Sequence, residues 1–539
     1  MFVDRLNISL GLAAGTSTAS VPAGHLKVLS VRAVPYGFRV QATFWVVSQQ
    51  SQSEDTLFSW FTGEDAITAT LTIDRAFDSE GEEAGTLAFK GLVTAREVLE
   101  QEVADVSGQP VLQRRYGLEF EDRGAVLWRA HFPTRLYVDQ SFTQLVTDNT
   151  PDGVTATVAE WSAAGTSRHI QALGLGADGN TASFYDYLHW ALDMAGAGLV
   201  VDPAAGSYEL RGKKKDGTLT ATDVPRDDVE RMEVRFPEVR RDAAKVLNSY
   251  VSASTKSKDV ANADAATGVR KDHLVTSELE STLTDRATLE TARLKSRQAH
   301  LHVVFARYPS VTLGLHNLYT LGGDWSSNLY ASGKTWRLFA LQLDARAVNA
   351  AASDDLDEET NSYELEVSAQ LELQGDTVFH RPPYELPRWP FYVEGKVVSQ
   401  VGTAPERTYD GTTDSSTSLQ TYSVSLPVFD SKKVKVPYNP NLQPGHFYFP
   451  APRDQRVLVA LHHRAGFLKR FLDWHPGAQL PKDTQGEHLL LGKKAKNETS
   501  LKHVYTDSKP VFSITRTLES DTQKLEVSEG TLLLEVKEG

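Results

Sequence analysis

The sequence Arg381-Pro382-Pro383-Tyr384-Glu385-Leu386-Pro387-Arg388-Trp389-Pro390 separates two parts of the chain that differ in pattern. Proline fixes φ and lacks a backbone N–H, so a run this rich in proline predicts an extended hinge. The segment after it, up to Trp474, contains short runs with the period-2 alternation of β-strands. These predicted strands are Phe391–Val401, Thr421–Val428, Lys433–Val436, His446–Phe449 and Arg456–His462. Residues 388–475 are therefore predicted to form a compact β-barrel.

Residues 1–150 are predicted to form a larger β structure. Alternating runs recur between segments rich in Asp, Gly, Ser and Glu, which suit turns and loops. They include Phe38–Phe44, Ala69–Ile73, Leu87–Val93 and Tyr116–Phe120, and a short helix is predicted at Gln140–Val146. Several short strands on one chain favour a barrel.

Residues 151–380 combine helices with strands and predict an α+β domain. Thr181–Ala195 is the clearest helix, because an apolar stripe repeats at helical spacing and Ser183 is placed to cap it. A second helix is predicted at Ser281–Gln298, capped near Thr284. Tyr208–Leu210 and Leu219–Ala221 predict a hairpin, whose turn contains the lysines 213–215 and is expected to be solvated.

The chain after the linker His475–Asp483 contains only short β runs. They are His488–Leu491, Leu501–Tyr505, Val511–Ile514, Lys524–Val527 and Thr531–Val536. About fifty residues of short strands cannot bury a hydrophobic core alone. This segment is therefore expected either to pack on another domain or to intertwine with copies of itself.

Composition excludes several classes of protein. The 539 residues carry a net charge of −14, which argues against binding to nucleic acid or to anionic membranes. There is no cysteine, so a disulfide framework, a thiol nucleophile and a Cys-ligated zinc are all excluded. The N-terminus lacks the pattern of a signal peptide, and no apolar run approaches the length of a membrane helix.

The order of these segments resembles the VgrG-type spike of contractile injection systems, and the fused baseplate hub and tail spike of contractile phages. Four further segments resemble family motifs: the helix from Ser183 to Gly196, the passage through His380–Pro383, the strand Pro452–Val459, and the start of the tail at Gly486–Gly492. Tyr187, Trp190 and Gln455 depart from the residues common at those positions.

The resemblance implies a mainly β protein with an α+β head. Its parts would be hub-like domains at 1–150 and 151–380, an OB-fold at 388–475, and an intertwined trimeric β-helix needle at 484–539. It also implies a homotrimer that sits on an inner tube of Hcp-like protein, among baseplate proteins, with a PAAR-like protein at its tip. Such a spike would be assembled in the cytoplasm and would puncture a target envelope on sheath contraction, delivering effector cargo.

The expected contact with the tip protein is the last strand, because the chain ends there and exposed strand edges need covering. It comprises Thr531, Leu532, Leu533, Leu534, Glu535 and Val536. No enzyme activity, cofactor or metal is expected. A secreted β-rich hydrolase or a carbohydrate-binding protein is the alternative, since a pair of catalytic carboxylates needs no proximity in sequence.

A glycine string, Gly174-Leu175-Gly176-Ala177-Asp178-Gly179, matches the G-x-G-x-x-G pattern of dinucleotide-binding folds. In those folds the helix begins within the motif, so that its first amides face the pyrophosphate. Here the helical pattern begins only near Phe184, and a hairpin follows instead of further βαβ units. The string is therefore interpreted as a loop.

Two histidine pairs and an acidic run are the candidates for metal sites. His300 and His302 share one face of a predicted strand, but the sequence places no third ligand near them, and a half-buried polar face is favoured. His462 and His463 are predicted to point to opposite faces of a strand. The run 354–359 lacks the glycine spacing of a calcium loop and is predicted to be a solvated loop.

Overall fold

We describe the protein from a computed structural model. It describes residues 2–48, 55–76, 86–104, 108, 110–215, 220–277, 279–294, 298–356, 358–398, 411–415, 419–437, 453–472, 486–494 and 496–539. They fall into two compact units. Unit 1 comprises residues 1–132, 143–165 and 181–387, and unit 2 comprises residues 133–142, 166–180 and 388–539. The predicted boundary near residue 150 lies within a segment of unit 1.

The helices and strands follow one another along the chain. Up to residue 174 they are β1 (Phe2–Ala14), β2 (Ser17–Val21), β3 (Leu26–Val34), β4 (Gly37–Ser48), α1 (Leu57–Thr62), β5 (Ile67–Arg75), β6 (Leu87–Ala104), β7 (Pro110–Asp122), α2 (Arg123–Arg129), β8 (Thr134–Ser141), α3 (Phe142–Asp148), β9 (Thr155–Ala159) and β10 (Ser167–Gly174). Up to residue 373 they are α4 (Phe184–Ala195), β11 (Gly198–Asp202), β12 (Ser207–Arg211), β13 (Thr222–Val224), β14 (Val229–Arg235), β15 (Ala243–Asn248), β16 (Ser257–Val260), β17 (Arg270–Val275), α5 (Glu280–Leu294), β18 (His300–Phe305), β19 (Leu318–Leu321), β20 (Trp336–Ala347) and β21 (Asn361–Leu373). The remainder are β22 (Phe391–Val398), β23 (Gly411–Thr413), β24 (Gln420–Leu426), β25 (Lys432–Pro437), β26 (Arg456–Leu461), β27 (Gly466–Phe471), β28 (Gly486–Lys494), β29 (Asn497–Thr506), β30 (Lys509–Leu518), β31 (Asp521–Ser528) and β32 (Thr531–Lys537). The prediction of a mainly β protein is confirmed.

Eight strands of unit 1 pair in a closed ring. The order is β20–β3–β4–β7–β6–β5–β1–β21, and β21 pairs in turn with β20. The ring forms because its strands alternate apolar and polar residues, so that one face of each is buried. In β1, for example, Leu6, Ile8, Leu10 and Leu12 are buried and the residues between them are not. Six of the strands come from residues 2–122, and β20 and β21, which close the ring, come from residues 336–373.

A second arc of strands shares β20 and β21 with the ring. Its order is β13–β19–β20–β21–β18–β14, and its end strands β13 and β14 each have one strand partner among the described residues. Trp336, Leu338, Leu371 and Phe305 belong to the buried core that the ring and the arc have in common. Strands from both predicted head domains thus contribute to one sheet.

Helix α4 confirms the clearest helix prediction. The Ser183 side chain accepts the backbone N–H of Asp186, and the Asp186 carboxylate accepts the backbone N–H of Ser183, which is a capping box. Gly196 ends the helix in the left-handed conformation. Helix α5 begins at Glu280, so the predicted cap at Thr284 is wrong by about one turn, and helices α1 and α2 were not predicted.

The predicted hairpin around the lysine run is wrong. Strand β12 pairs with β11 and β9, whereas β13 pairs with β19. Lys214 is not solvated either: its side chain is 8% exposed and its ammonium donates to both carboxylate oxygens of Glu372 at 2.6 Å. Three consecutive lysines predict a solvent-exposed turn. The partner that keeps Lys214 buried is a carboxylate 158 residues away, and no local pattern in the sequence indicates it.

Glu372 is the centre of a buried ionic cluster in unit 1. Besides Lys214, it accepts from the Arg337 guanidinium at 2.9 Å and lies 2.9 Å from His380 Nε2. Burial alone would raise the pKa of the Glu372 carboxyl, but the His380 hydrogen bond and the Lys214 charge lower this pKa to about 2. Asp376 provides a second buried carboxylate, 3.5 Å from the Lys214 ammonium.

Unit 2 contains a six-stranded sheet in the region predicted to be a barrel. The order is β23–β24–β22–β26–β27, with β25 paired to the other edge of β24. Strand β27 was not predicted, and the predicted strand His446–Phe449 lies outside the described residues. The antiparallel pair β8–β10, from an earlier part of the chain, adds Leu136, Ile170 and Ala172 to the same core.

The glycine string joins β10 to the loop before α4, and β10 pairs only with the antiparallel β8 among the described strands. Gly174 allows a close contact, because a Cβ there would lie 2.3 Å from Cδ1 of Phe391. Gly179 has a φ of +78°, which favours glycine. These glycines are thus explained by packing and by a turn, without a phosphate ligand.

One of the two histidine pairs lies on a strand and the other lies in a turn. His300 and His302 lie half-buried on β18, as predicted, and His302 Nδ1 is 3.9 Å from a Glu233 carboxylate oxygen. The prediction for the other pair is wrong, since β26 ends at Leu461 and His462 and His463 lie in the turn before β27. Among the described residues, no group of three His, Asp or Glu is arranged to hold a metal.

Because two buried histidines stay neutral in the folded protein, we predict that the fold loses stability in mild acid. Burial, and then the Arg381 charge, lower the pKa of His189 to about 3, and neither ring nitrogen has a hydrogen-bond partner among the described residues. Burial likewise lowers the pKa of His463 to about 3. The unfolded chain therefore takes up these protons near pH 6.5 and the folded chain does not, which weakens folding by about 1.4 kcal/mol per pH unit for each histidine. Asp122, whose pKa burial raises to about 6, works in the opposite direction.

The measurement is urea unfolding at pH 7.5 and pH 5.0 for the wild type and for His189→Phe. We expect the variant to lose less stability than the wild type on acidification, because phenylalanine fills the site without a titratable group. An equal loss in the two proteins would contradict the assignment.

Candidate functional site: the C-terminal sheet

The last five strands form an antiparallel meander. Each strand pairs with the next, in the order β28–β29–β30–β31–β32. The strands are those predicted from the sequence; β28 to β31 extend several residues beyond the predicted bounds, and β32 extends one residue beyond them. Strand β28 is at one edge of the sheet and β32 is at the other.

The pairing register places an aliphatic residue of every strand in one line across the sheet. The line, which we call the apolar ladder, consists of Leu489, Leu501, Ile514, Leu525 and Leu534. Directly paired residues project from the same face of a sheet, so the ladder marks one face as apolar. Phe512, Val527 and Leu532 flank the ladder on this apolar face.

The opposite face is mostly polar. The line of paired residues next to the ladder consists of Leu490, Ser500, Thr515, Lys524 and Glu535. Lys524 lies opposite Glu535 and also contacts Glu526 at 2.5 Å. Burial, and then the Lys502 charge on the paired strand, lower the pKa of His488 on this face.

Among its described side chains, the sheet has no buried apolar residue of its own. Of the residues from 486 to 539 whose side chains are described, only Ser500 and Ser513 are buried. Leu534 is 74% exposed, and the other members of the ladder are half-buried or exposed. A two-faced sheet of this kind gains stability only if its apolar face is covered.

All six residues predicted to contact a tip protein lie on the edge strand β32. Leu532, Leu534 and Val536 project from the apolar face and are 67–74% exposed, whereas Thr531, Leu533 and Glu535 project from the polar face. The predicted set is therefore divided between the two faces.

The ladder residues on β28 to β31 were not singled out from the sequence, although their signal is present. Leu501 and His503, Phe512 and Ile514, and Leu525 and Val527 each follow the period-2 alternation. What the sequence lacks is the register, which decides whether these residues share a face.

Polar side chains also lie on the apolar face, among them a histidine–carboxylate pair. His503 Nδ1 is 3.1 Å from a Glu487 carboxylate oxygen across the β28–β29 pair.

In the part of the chain that the structure describes, no helix is both long and apolar enough to cross a membrane.

Comparison with known proteins found similarity in structure only. No protein-family model matches the chain, and no curated protein matches it. A chain of the half-lidded Francisella PdpA-VgrG complex aligns with a TM-score of 0.76 and 13% identity, over 99% of this chain and 89% of that one.

A chain of the lidless PdpA-VgrG complex aligns with a TM-score of 0.74 and 13% identity, over 100% of this chain and 99% of that one. The 43 kDa tail protein of prophage MuSo2 from Shewanella oneidensis gives a TM-score of only 0.41. Over nearly its whole length, the chain therefore has the fold of a chain in the Francisella PdpA-VgrG complex.

Proposed function

We propose that this chain is the subunit of a homotrimeric spike and hub at the tip of a contractile injection system. The observation that carries the proposal is the apolar ladder of the C-terminal sheet, whose five residues are all half-buried or exposed in the single chain. The similarity in fold to a chain of the PdpA-VgrG complex supports it.

Three copies would cover the ladder by packing their apolar faces around a common axis. The axis would run across the strands, so that the ladders of the three chains line it from β28 to β32. Strands in a sheet are about 4.8 Å apart, so five strands would give a needle segment of about 19 Å. Closed symmetry uses the same face of every copy and leaves none exposed.

The burial energy favours such an assembly. Fully burying one Leu or Ile side chain contributes about 1.5–3 kcal/mol, and each copy brings five ladder residues. The polar face would remain in water, where Lys524 lies opposite Glu535 and forms an ion pair with Glu526. A sheet with one apolar face therefore fits an intertwined three-sided prism, in which only that face is buried, better than an arrangement in which both faces are covered.

The remaining partners follow from the proposed role. The head would sit on an inner tube of Hcp-like protein and contact baseplate proteins, and β32 would meet a PAAR-like tip protein. The spike would be assembled in the cytoplasm and would deliver effector cargo by mechanical puncture, without an enzymatic step of its own.

Removing the residues after His475 tests the proposal. We expect the shortened chain to be a monomer, because the ladder is its means of association, while unfolding of unit 1 stays cooperative. The measurement is mass photometry, with urea unfolding as the control for folding. A shortened chain that forms an equally stable trimer would refute the role given to the tail.

A further inference from the structure

Strand β14 at the end of the second arc has an open edge. It pairs with β18 on one side, and no other described strand pairs with it. The register is regular from Arg231 to Arg235, and a bulge interrupts it between Val229 and Arg231. A regular edge of five residues offers unpaired backbone donors and acceptors to another strand.

A groove of about 610 Å³ runs along this strand. Met232, Val234 and Leu301 line it, and all three belong to or pack against the core of unit 1. Because the side chains of a strand alternate, Met232 and Val234 project from one face of β14 and Glu233 from the other. The groove thus has an apolar floor at alternate positions.

Aromatic residues form the far wall of the groove. The Trp325 indole N–H donates to the carbonyl of Val224 at 2.9 Å, which anchors the loop that carries this wall. Tyr330 lines the groove and its ring meets Phe236 edge-on at 5.2 Å. Phe236 directly follows β14 and is 69% exposed, so an aromatic surface lies beside the open edge.

On the face of β14 that carries Arg231, Glu233 and Arg235, the charges favour an acidic residue in whatever binds there, whereas Asp227 and Glu230 line the groove itself. Glu233 is held by two hydrogen bonds from Arg235, at 3.0 and 3.1 Å. Arg231 projects from the same face and is exposed, and in the described part of the chain no carboxylate forms a salt bridge with it. A neighbouring strand that places a carboxylate opposite Arg231 would form an ion pair with its guanidinium.

We propose that the groove along β14 receives an extended strand from a different protein. The strand pairs with Arg231–Arg235, places alternate apolar side chains on the floor of the groove, and presents an acidic side chain to Arg231. Contacts between neighbouring copies in a trimer are also head-to-tail, so a strand from a second copy is the alternative occupant, and the Ile514→Asp variant below distinguishes it. The proposal does not depend on the trimer.

The test uses full-length protein and two fluorescent eight-residue peptides that alternate valine with threonine. One peptide carries glutamate at a central polar position, and the other carries lysine there. We expect fluorescence anisotropy to show saturable binding of the glutamate peptide, about tenfold tighter than the lysine peptide. Arg231→Glu should reverse this preference, Phe236→Ala should weaken both, and the control Arg168→Glu, at an exposed site in unit 2, should change neither.

Three results would overturn the proposal. The first is no saturable binding of the glutamate peptide to any form of the protein. The second is binding that Arg231→Glu leaves unchanged. The third is binding by an Ile514→Asp variant, which carries a charge in the apolar ladder, but not by the wild type, since the edge would then be covered by another copy of the chain.

Discussion

Replacing Ile514 by aspartate is expected to abolish the trimer at micromolar concentration. Ile514 is the central member of the apolar ladder, with Leu501 and Leu525 paired to it on either side. In the proposed assembly three copies of this residue would lie around one axis. Three carboxylates in an apolar interior would lose their hydration and would repel one another. The ladder offers no cation or hydrogen-bond donor that would offset either cost.

The neighbouring residue provides a matched control. Thr515 projects from the polar face, opposite Ser500 and Lys524, so Thr515→Asp introduces the same charge beside a cation. We expect Thr515→Asp to leave the mass of the particle unchanged in light scattering, and Ile514→Leu to do the same. A trimer of Ile514→Asp as stable as the wild type would show that the apolar face is not the interface.

Replacing Glu372 by alanine is expected to lower the free energy of unfolding by about 3–5 kcal/mol. The carboxylate is 2% exposed and is shared by Lys214 and Arg337, whose side chains are 8% and 1% exposed. Its removal leaves two buried cations with too little compensating charge. Burial already lowers the pKa of Lys214, so this amine is the group expected to lose its proton in the variant.

Glu366 on the same strand is the control for this variant. It is exposed, and Glu366→Ala is expected to change the free energy of unfolding by less than about 0.5 kcal/mol. Because the folded pKa of Glu372 is lowered, its contribution is present above pH 4.5 and decreases as the pH falls toward 2. A loss below about 1 kcal/mol for Glu372→Ala at pH 7 would contradict the importance of the cluster.

Local patterns predicted the parts of the fold that local chemistry decides. The capping box and apolar stripe of α4 lie within a dozen or so residues, and the strands of the tail follow from alternation and turns. The closure of the ring does not follow, because Phe2 pairs with Leu365 and Val31 pairs with Leu343. These paired residues are hundreds of positions apart in the sequence. Every strand of the ring shows the same alternation, so the pattern alone does not indicate which two strands pair.

The candidate site was predicted in outline only. The sequence indicated that the tail needs a partner, and it located the exposed edge strand β32. It did not reveal the ladder, since Leu489 and Leu534 are related only through the three strands between them. Nor did it predict that β8 and β10 join the core of unit 2, because their partners lie on the far side of the hinge.

The mass of the full-length protein in dilute solution is the most direct test of the central claim. Mass photometry at nanomolar concentration would measure it without a partner protein. We expect a particle of three times 59.4 kDa, held together by the apolar ladder. A particle of 59.4 kDa would contradict it, because the C-terminal sheet would then be stable with its apolar face uncovered.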